Sequence, residues 1–344
     1  MSRDWIVVTG AGGFIGGHLV AELTRRGWTR IRAVDRKPLD EWYQVYDGVE
    51  NIVADLSLRE TCEEVCLDAR QVYQLAADMG GMGFIETHKA RCMLSVLINT
   101  HMLMAAQQAR VERYFYASSA CVYNAERQTD PQVTALRESD AYPALPEDGY
   151  GWEKLFSERM CRHFAEDFSL ETRVARYHNV YGPLGTWEGG REKAPAAICR
   201  KAVEAIVSGE HRIEIWGNGE QTRSFMYIDD CIEGTLRIME ADAAEPLNLG
   251  SSELVSINQL VGLVEEIAGV QLERYYAPDA PLGVAGRNSD NTRIRAHLDW
   301  EPSISLREGM ERTYKWVHDA YLRRYGGGLG PRAAAPRGAH TRGR

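Results

Sequence analysis

The 344-residue chain predicts an α/β fold, a doubly wound parallel sheet joined to a smaller C-terminal α/β domain. Two observations carry this. Apolar, β-branched runs alternate with helix-length segments through the first half, the βαβ signature of a parallel sheet covered on both faces. The texture then changes after Asn179, where Gly182-Pro183-Leu184-Gly185 and Gly189-Gly190 mark a long loop. Element by element, a strand over 5–9 stops at Gly10 and a helical pattern spans 14–27. A strand over 31–34 ends on Asp35, and another over 51–54 ends on Asp55. A helix follows from Ser57. A strand over 71–76, a long helix over 88–110 and a strand over 113–117 come next. A helix over 149–168 and a strand over 172–176 complete the alternation. Beyond the loop, helices are expected over 195–207, 256–268 and 306–322, with a strand over 213–216.

This pattern divides the chain into residues 1–180, rejoined by about 224–250, and a second unit made of 181–223 and 251–325. Residues 326–344 are rich in Gly, Pro, Ala and Arg, carry four Arg and no acid, and read as a disordered tail. With 44% hydrophobic and 26% charged residues, the chain as a whole is globular rather than disordered. Its net charge of −9 argues against a general nucleic-acid binder, although local Arg and Lys can still hold a small anion. The longest apolar stretch, 93–109, is broken by Asn99, Thr100, His101 and Gln107-Gln108. It falls short of the roughly 20 apolar residues of a membrane span. The N-terminal residues run into a strand with no signal-peptide layout, and seven cysteines without a Cys-x-x-Cys pair suit a reducing cytoplasm. No metal-ligand set is assigned.

Gly10-Ala11-Gly12-Gly13-Phe14-Ile15-Gly16 joins the first strand to the first helix. Glycine lets backbone approach a pyrophosphate, and the helix N-terminus offers free N–H groups to it. Asp35, about 20 residues on, suits the ribose hydroxyls and repels a 2′-phosphate, so NAD is expected over NADP. Arg36 beside it weakens that preference slightly. Asp55 is placed to meet the adenine amino group, or simply to cap its own loop. The expected cofactor set is Gly10, Gly13, Phe14, Ile15, Gly16, Asp35, Asp55, Tyr150 and Lys154, and the sheet is of Rossmann type. Tyr150 and Lys154 stand four apart on a predicted helix and so share a face. A nearby ammonium, with the nicotinamide cation, would lower the phenol's pKa and let it take a hydroxyl proton. Ser118 and Ser119 end the strand between the glycine loop and this helix, where a hydroxyl can share that hydrogen bond.

Glycine loop, Ser pair and Tyr-Lys pair together resemble the extended short-chain dehydrogenase/reductase superfamily. Five blocks narrow the resemblance: residues 76–84, 118–123, 189–197, 216–225 and 286–291. In this order they resemble the GDP-mannose 3,5-epimerase family, from the first strand to about Trp316. The resemblance implies that NAD serves to oxidise C4 of a GDP-hexose, with Tyr150 and Lys154 as the oxidising pair. A C4 ketone acidifies the hydrogens on C3 and C5, and the family's acid/base pair falls on Cys121 and Lys193. A thiol can serve as base if a cation lowers its pKa, and desolvation would lower that of Lys193. Without the blocks, Cys121 reads as a small buried hydrophobe and Lys193 as a solvated helix-start lysine.

By the same resemblance, Lys201, Arg223 and Arg287 bind substrate and suit its diphosphate. Asn179, Glu192 and Gln221 hydrogen-bond the ligand, and Gly80 lends backbone to the hexose. Ser119, Ala120, Cys121, Lys193, Ala194 and Thr222 complete the substrate set. His178, beside Asn179, reads as structural. The family also implies a homodimer.

Departures are few. Asn124 stands where the family usually has Pro, and Tyr142, Gly149 and Trp152 replace Trp, Ala and Leu of its plant members. Ala285 replaces an Arg of those members, and the 88–110 helix diverges broadly. These leave open whether C5, C3 or both are inverted, and so whether GDP-L-gulose or GDP-L-galactose forms. Two other readings stay open. A nucleotide-sugar 4-epimerase would use Tyr150 and Lys154 without the second pair. A non-catalytic NAD-sensing regulator would bind nucleotide sugar without turnover. A 4,6-dehydratase fits less well, because its Asp-Glu pair would fall on Ala120 and Cys121.

Overall fold

The computed structural model describes residues 4–326, so all but the first residue of the expected tail lies outside the described residues. The dominant feature is a seven-stranded sheet. It is built from β1 (Trp5–Thr9), β2 (Ile31–Asp35), β3 (Glu50–Val53), β4 (Ala69–Gln74), β5 (Arg113–Ser119) and β6 (Glu171–Tyr177), with a late addition at Leu247–Leu249. The order is the late strand, β6, β5, β4, β1, β2, β3, and every pairing is parallel. The order reverses between β1 and β4. That switch point opens a crevice at the strands' C-terminal ends, where ligands of such sheets bind.

Strand β1 shows why the sheet is covered twice. Ile6 and Val8 point into one core and Val7 into the other, and all are fully buried. The first core is closed by α1 (Phe14–Arg25), the second by α2 (Arg59–Val65) and by helices that follow β4. Those helices correct the expectation of one long helix over 88–110. The chain makes α3 (Met82–Thr87), α4 (Lys89–Met93) and α5 (Ser95–Gln108), with a break at Leu94. The Ser95 hydroxyl just past that break accepts from Asp78 N–H (2.9 Å), tying the start of α5 to the segment after β4. Next come α6 (Tyr150–Phe168) and a short strand β7 (Val180–Tyr181).

The smaller lobe begins with α7 (Ala194–Ser208), β8 (Arg212–Trp216) and β9 (Thr222–Ser224). Then β10 (Met226–Tyr227) pairs with β7, and α8 (Ile228–Glu240) returns to the first lobe, packing on α1 and β6. The seventh strand, Leu247–Leu249, is β11. The sequence reading contains neither α8 nor β11 as elements, although α8 buries Ile228, Ile232, Leu236 and Met239 at helical spacing. The remainder is β12 (Leu254–Ser256), α9 (Ile257–Ala268), β13 (Glu273–Ala277), β14 (Gly286–Arg287), α10 (Thr292–Leu298) and α11 (Leu306–Tyr325). Strand β9 is flanked by β12 and β14, and β8 pairs with β13. One apolar core runs from α1 through α8 to α7, α9 and α11, joining both lobes behind the crevice. Among the described residues, no helix is long and apolar enough to cross a membrane.

Candidate active site

The glycine loop is closed upon itself. Gly10 has φ +68°, and Gly13 N–H donates to its carbonyl (3.0 Å). A Cβ on Gly16 would lie 2.2 Å from the same carbonyl oxygen. The α1 N-terminus therefore presses on the turn, with Phe14 and Ile15 in its first turn. Asp35 ends β2 as expected, accepting the Lys37 N–H (3.0 Å). Asp55 accepts the Ser57 N–H (2.9 Å), and that bond holds its carboxyl below the usual range. It caps its own turn. These residues fit NAD: a cradle that a single Cβ would fill, a helix N-terminus over it and a carboxylate at the ribose position. Gly16→Ala is expected to weaken NAD about ten- to a hundredfold, since overpacking of this kind costs about 1–3 kcal/mol. Calorimetric titration of nucleotide-stripped protein checks this, and an unchanged Kd would take the loop out of the cofactor site.

The end of β5 and the start of α6 meet because of one residue without a side chain. A Cβ on Gly151 would lie 2.3 Å from the Cys121 carbonyl oxygen. This close approach sets Tyr150 and Cys121 in one cluster with Phe84, Ile85 and Cys92. Ser119 accepts the Cys121 N–H (3.2 Å) at a 3-10 turn over Ala120–Val122, and its hydroxyl also contacts the Tyr150 phenol. Ser118 goes elsewhere. It donates to Glu158, which forms a buried ion pair with Arg176 (2.7 Å). Of the two serines, then, only Ser119 faces the site.

Lys154 stacks at 4.8 Å from the Tyr116 ring centroid and 5.5 Å from that of Tyr150, with Glu153 Oε2 at 3.7 Å. The expected lowering of the phenol is not supplied by the protein alone. Burial raises Tyr150 well above its ordinary value, and Cys121 and Glu153 add to that. Cys121 also departs from expectation. Burial and Glu147 push its thiol up to about 11, despite the opposing guanidinium of Arg287. Lys193 sits at the N-terminus of α7. Desolvation lowers it as expected, with Cys121 and Arg287 close enough to act on its charge.

Arg287 reaches into the same cluster, donating to Gln128 (2.7 Å), Cys121 Sγ (3.5 Å) and Glu147. Arg223 is coupled to Arg287, and burial lowers it to about 10. Its guanidinium donates to the carbonyls of Thr222 (2.7 Å) and Val284 (2.6 Å). A second group gathers at Trp216. Lys201 Nζ lies 5.7 Å from the indole centroid and donates to the Glu214 carbonyl (3.0 Å). Gln221 donates to the Trp216 carbonyl (3.0 Å), while its Oε1 is buried without a partner. Thr222 donates to the Pro131 carbonyl.

Other expected contacts are turned inward. Asn179, at φ +39°, donates to the Ser224 carbonyl (3.0 Å), and Glu192 accepts from Gly190 N–H (2.7 Å) and Arg200 (3.4 Å). Gly80 packs under Phe84, and Ala194 follows Lys193 into α7. His178 is structural: fully buried, bonded to Asn248 (3.0 Å), and lowered by burial to about 3.

The sequence reading missed two groups. Glu147 has no motif to announce it, since its partners lie at 121 and 287. Asp78 lies within residues 76–84, where no spacing marks it out. It is buried under Arg36 (3.0 Å), Arg191 (2.9 Å) and Arg91, which outweigh its burial and keep its pKa low. Beside it, Gly81 N–H donates to the Arg191 carbonyl (3.0 Å), and Arg191 lies 3.8 Å from the Phe84 ring centroid. Residues 78–84 and 191–192 are thereby stitched together across the crevice.

Fold and site define a dinucleotide-dependent enzyme in which a buried tyrosine, a thiol and a lysine gather. The comparisons with known proteins agree. The profile of the NAD dependent epimerase/dehydratase family matches residues 6–250. GDP-mannose 3,5-epimerase 1 of Oryza sativa subsp. indica is 45% identical over 315 residues, which is 91% of this chain and 82% of that protein. UDP-glucose 4-epimerase of Thermotoga maritima, solved with UDP-glucose, has a TM-score of 0.82 at 26% identity, covering 92% of this chain and 99% of that one. UDP-glucuronic acid 4-epimerase of Bacillus cereus, solved with UDP-glucuronic acid and NAD, gives 0.78 at 25% identity, covering 92% and 100%. The chain belongs to the NAD dependent epimerase/dehydratase family and, within it, to the GDP-mannose 3,5-epimerases. Its cofactor is NAD.

Proposed function

We propose that the chain epimerises GDP-mannose at C5, C3 or both, giving GDP-L-gulose, GDP-L-galactose or the pair. NAD, when bound, supplies the temporary oxidation at C4 and its reversal. Gly10, Gly13 and Gly16 hold its pyrophosphate and Asp35 its ribose. Tyr150 accepts the C4 hydroxyl proton, with Ser119 sharing that hydrogen bond and Lys154 holding the phenol's charge. Cys121 and Lys193 exchange protons with the carbons next to the ketone, from opposite faces of the ring. The observation that carries this reading is that Cys121, in the 3-10 turn after β5, packs in one cluster with Tyr150 and lies close enough to Lys193, at the start of α7, to act on its charge. A plain 4-epimerase needs no such pair.

Arg287 and Arg223 supply positive charge for the diphosphate, and the Trp216 group with Lys201 and Gln221 suits the nucleotide end. The dinucleotide lobe is residues 1–180 with 224–250, and the substrate lobe is the remainder to 325. A homodimer is supported by exposed Met93, Leu97, Trp152 and Phe156 on α4, α5 and α6, which pack together, and by exposed Leu94 between α4 and α5. A cytoplasmic setting suits seven free, buried thiols.

The test is incubation with GDP-mannose in heavy water, with deuterium read at C3 and C5 by NMR. Label at both carbons is the expected result for the double epimerase, and label at C5 alone assigns the gulose product. No label from any nucleotide sugar would sink the proposal in favour of a 4-epimerase or a regulator.

A further inference from the structure

The two residues that follow Asp35 are both basic, and both are already engaged. Lys37 Nζ donates to the Gly12 carbonyl in the glycine loop (3.2 Å). Arg36 Nη2 donates to Asp78 Oδ2 (3.0 Å). Arg36 directly follows β2, and Asp78 lies a few residues past β4, with β1 between those two strands. The ion pair therefore crosses the C-terminal end of β1, where the glycine loop begins.

Asp78 is a fixed anchor. Its side chain is 6% exposed, and its N–H is bonded to Ser95 Oγ (2.9 Å). Its carboxylate also takes Arg191 (2.9 Å) and Arg91. Arg36 is the adaptable partner, with 51% of its side chain exposed. A carboxylate pinned by two other guanidiniums and by its own backbone cannot follow an arginine that swings away. Arg36 must either keep Asp78 or give it up for another anion.

In dinucleotide folds an arginine near the end of the second strand accommodates the 2′-phosphate of NADP. A guanidinium pairs with phosphate as readily as with carboxylate. This chain carries that arginine beside Asp35 but supplies it with a buried partner on the far side of β1.

We propose that Asp78 is a specificity-determining residue for the dinucleotide. By holding Arg36 across the end of β1, it withholds that guanidinium from a 2′-phosphate and leaves Asp35 to select the 2′-hydroxyl of NAD. Asp78 acts through Arg36 and is in this sense a positioning residue. Discrimination against NADP then has two separable sources: repulsion by Asp35 and sequestration of Arg36. The inference concerns the cofactor alone, so it stands whichever sugar nucleotide is turned over.

Calorimetric titration of the full, nucleotide-stripped chain with NAD and with NADP tests this. Asp78→Asn keeps the size and an acceptor oxygen for Arg191 but removes the charge that holds Arg36. In this variant NADP is expected to bind about tenfold tighter or better, the gain of one charge-assisted pair, while NAD changes by less than about threefold. In Arg36→Ala the ratio of the two Kd values is expected to stay within about threefold of wild type, since the lost charge is half-exposed and screened. In the double variant Asp78→Asn, Arg36→Ala the gain for NADP is expected to vanish.

An unmoved ratio in Asp78→Asn, including equal weakening of both dinucleotides, overturns the proposal. A gain that persists in the double variant does so too, because it would come from the uncovered charge of Arg91 and Arg191. A selective loss of NADP affinity in Arg36→Ala would show that Arg36 already reaches the phosphate, which also overturns it. That variant leaves Asp78 with Arg91 and Arg191, so this arm decides even if Asp78→Asn fails to fold.

Discussion

Cys121→Ala is expected to end inversion of the sugar while leaving its C4 oxidation visible as transient NADH absorbance. Acid/base groups of this kind contribute about 10²–10⁴-fold, so the loss of epimerised product should fall in that range. The substitution removes one sulfur from a cluster with Phe84, Ile85, Cys92 and Tyr150, and leaves Tyr150 and Ser119 in place. The oxidising step should therefore survive. Inversion of C5 at the wild-type rate would remove Cys121 from the mechanism.

Tyr150→Phe should stop the reaction one step earlier. The ring still fills its place against Cys121 and Lys154, so the fold and the Kd for GDP-mannose should change little. Only the phenolic oxygen is lost, and with it the acceptor for the C4 hydroxyl proton. The NADH signal should vanish, and turnover should fall by about 10²–10⁴-fold. Deuterium exchange should disappear too, because no ketone forms to acidify the neighbouring carbons. An unchanged NADH signal would rule out Tyr150 as the oxidising base.

The contrast between these variants follows the line between what was legible in the sequence and what was not. Tyr150 and Lys154 were legible because four residues on a helix is a local relation. The glycine loop and Asp35 were legible for the same reason: strand, turn and helix are contiguous. The break at Leu94 was hidden, because apolar residues flank it on both sides and no Gly or Pro marks it. Helix α8 was not read from the sequence, although its buried positions keep helical spacing. Strands β9 and β14 have three and two residues, too few to show alternation. The charge on Cys121 was hidden most deeply. It depends on Glu147 and Arg287, brought together from sites about 140 residues apart. A residue's identity is written locally, but its protonation belongs to its surroundings.

The seam between residues 78–84 and 191–192 has a practical meaning for redesign. The stretch bearing Lys193 is riveted to the opposite wall by Asp78, Arg191 and the Gly81–Arg191 backbone bond. Grafting a relative's 189–193 onto this scaffold would replace Arg191 along with the amine and leave only the Asp78 half of the fastening. Only a transplant that carries both halves of the rivet can retune the sugar pocket and keep its jaws aligned.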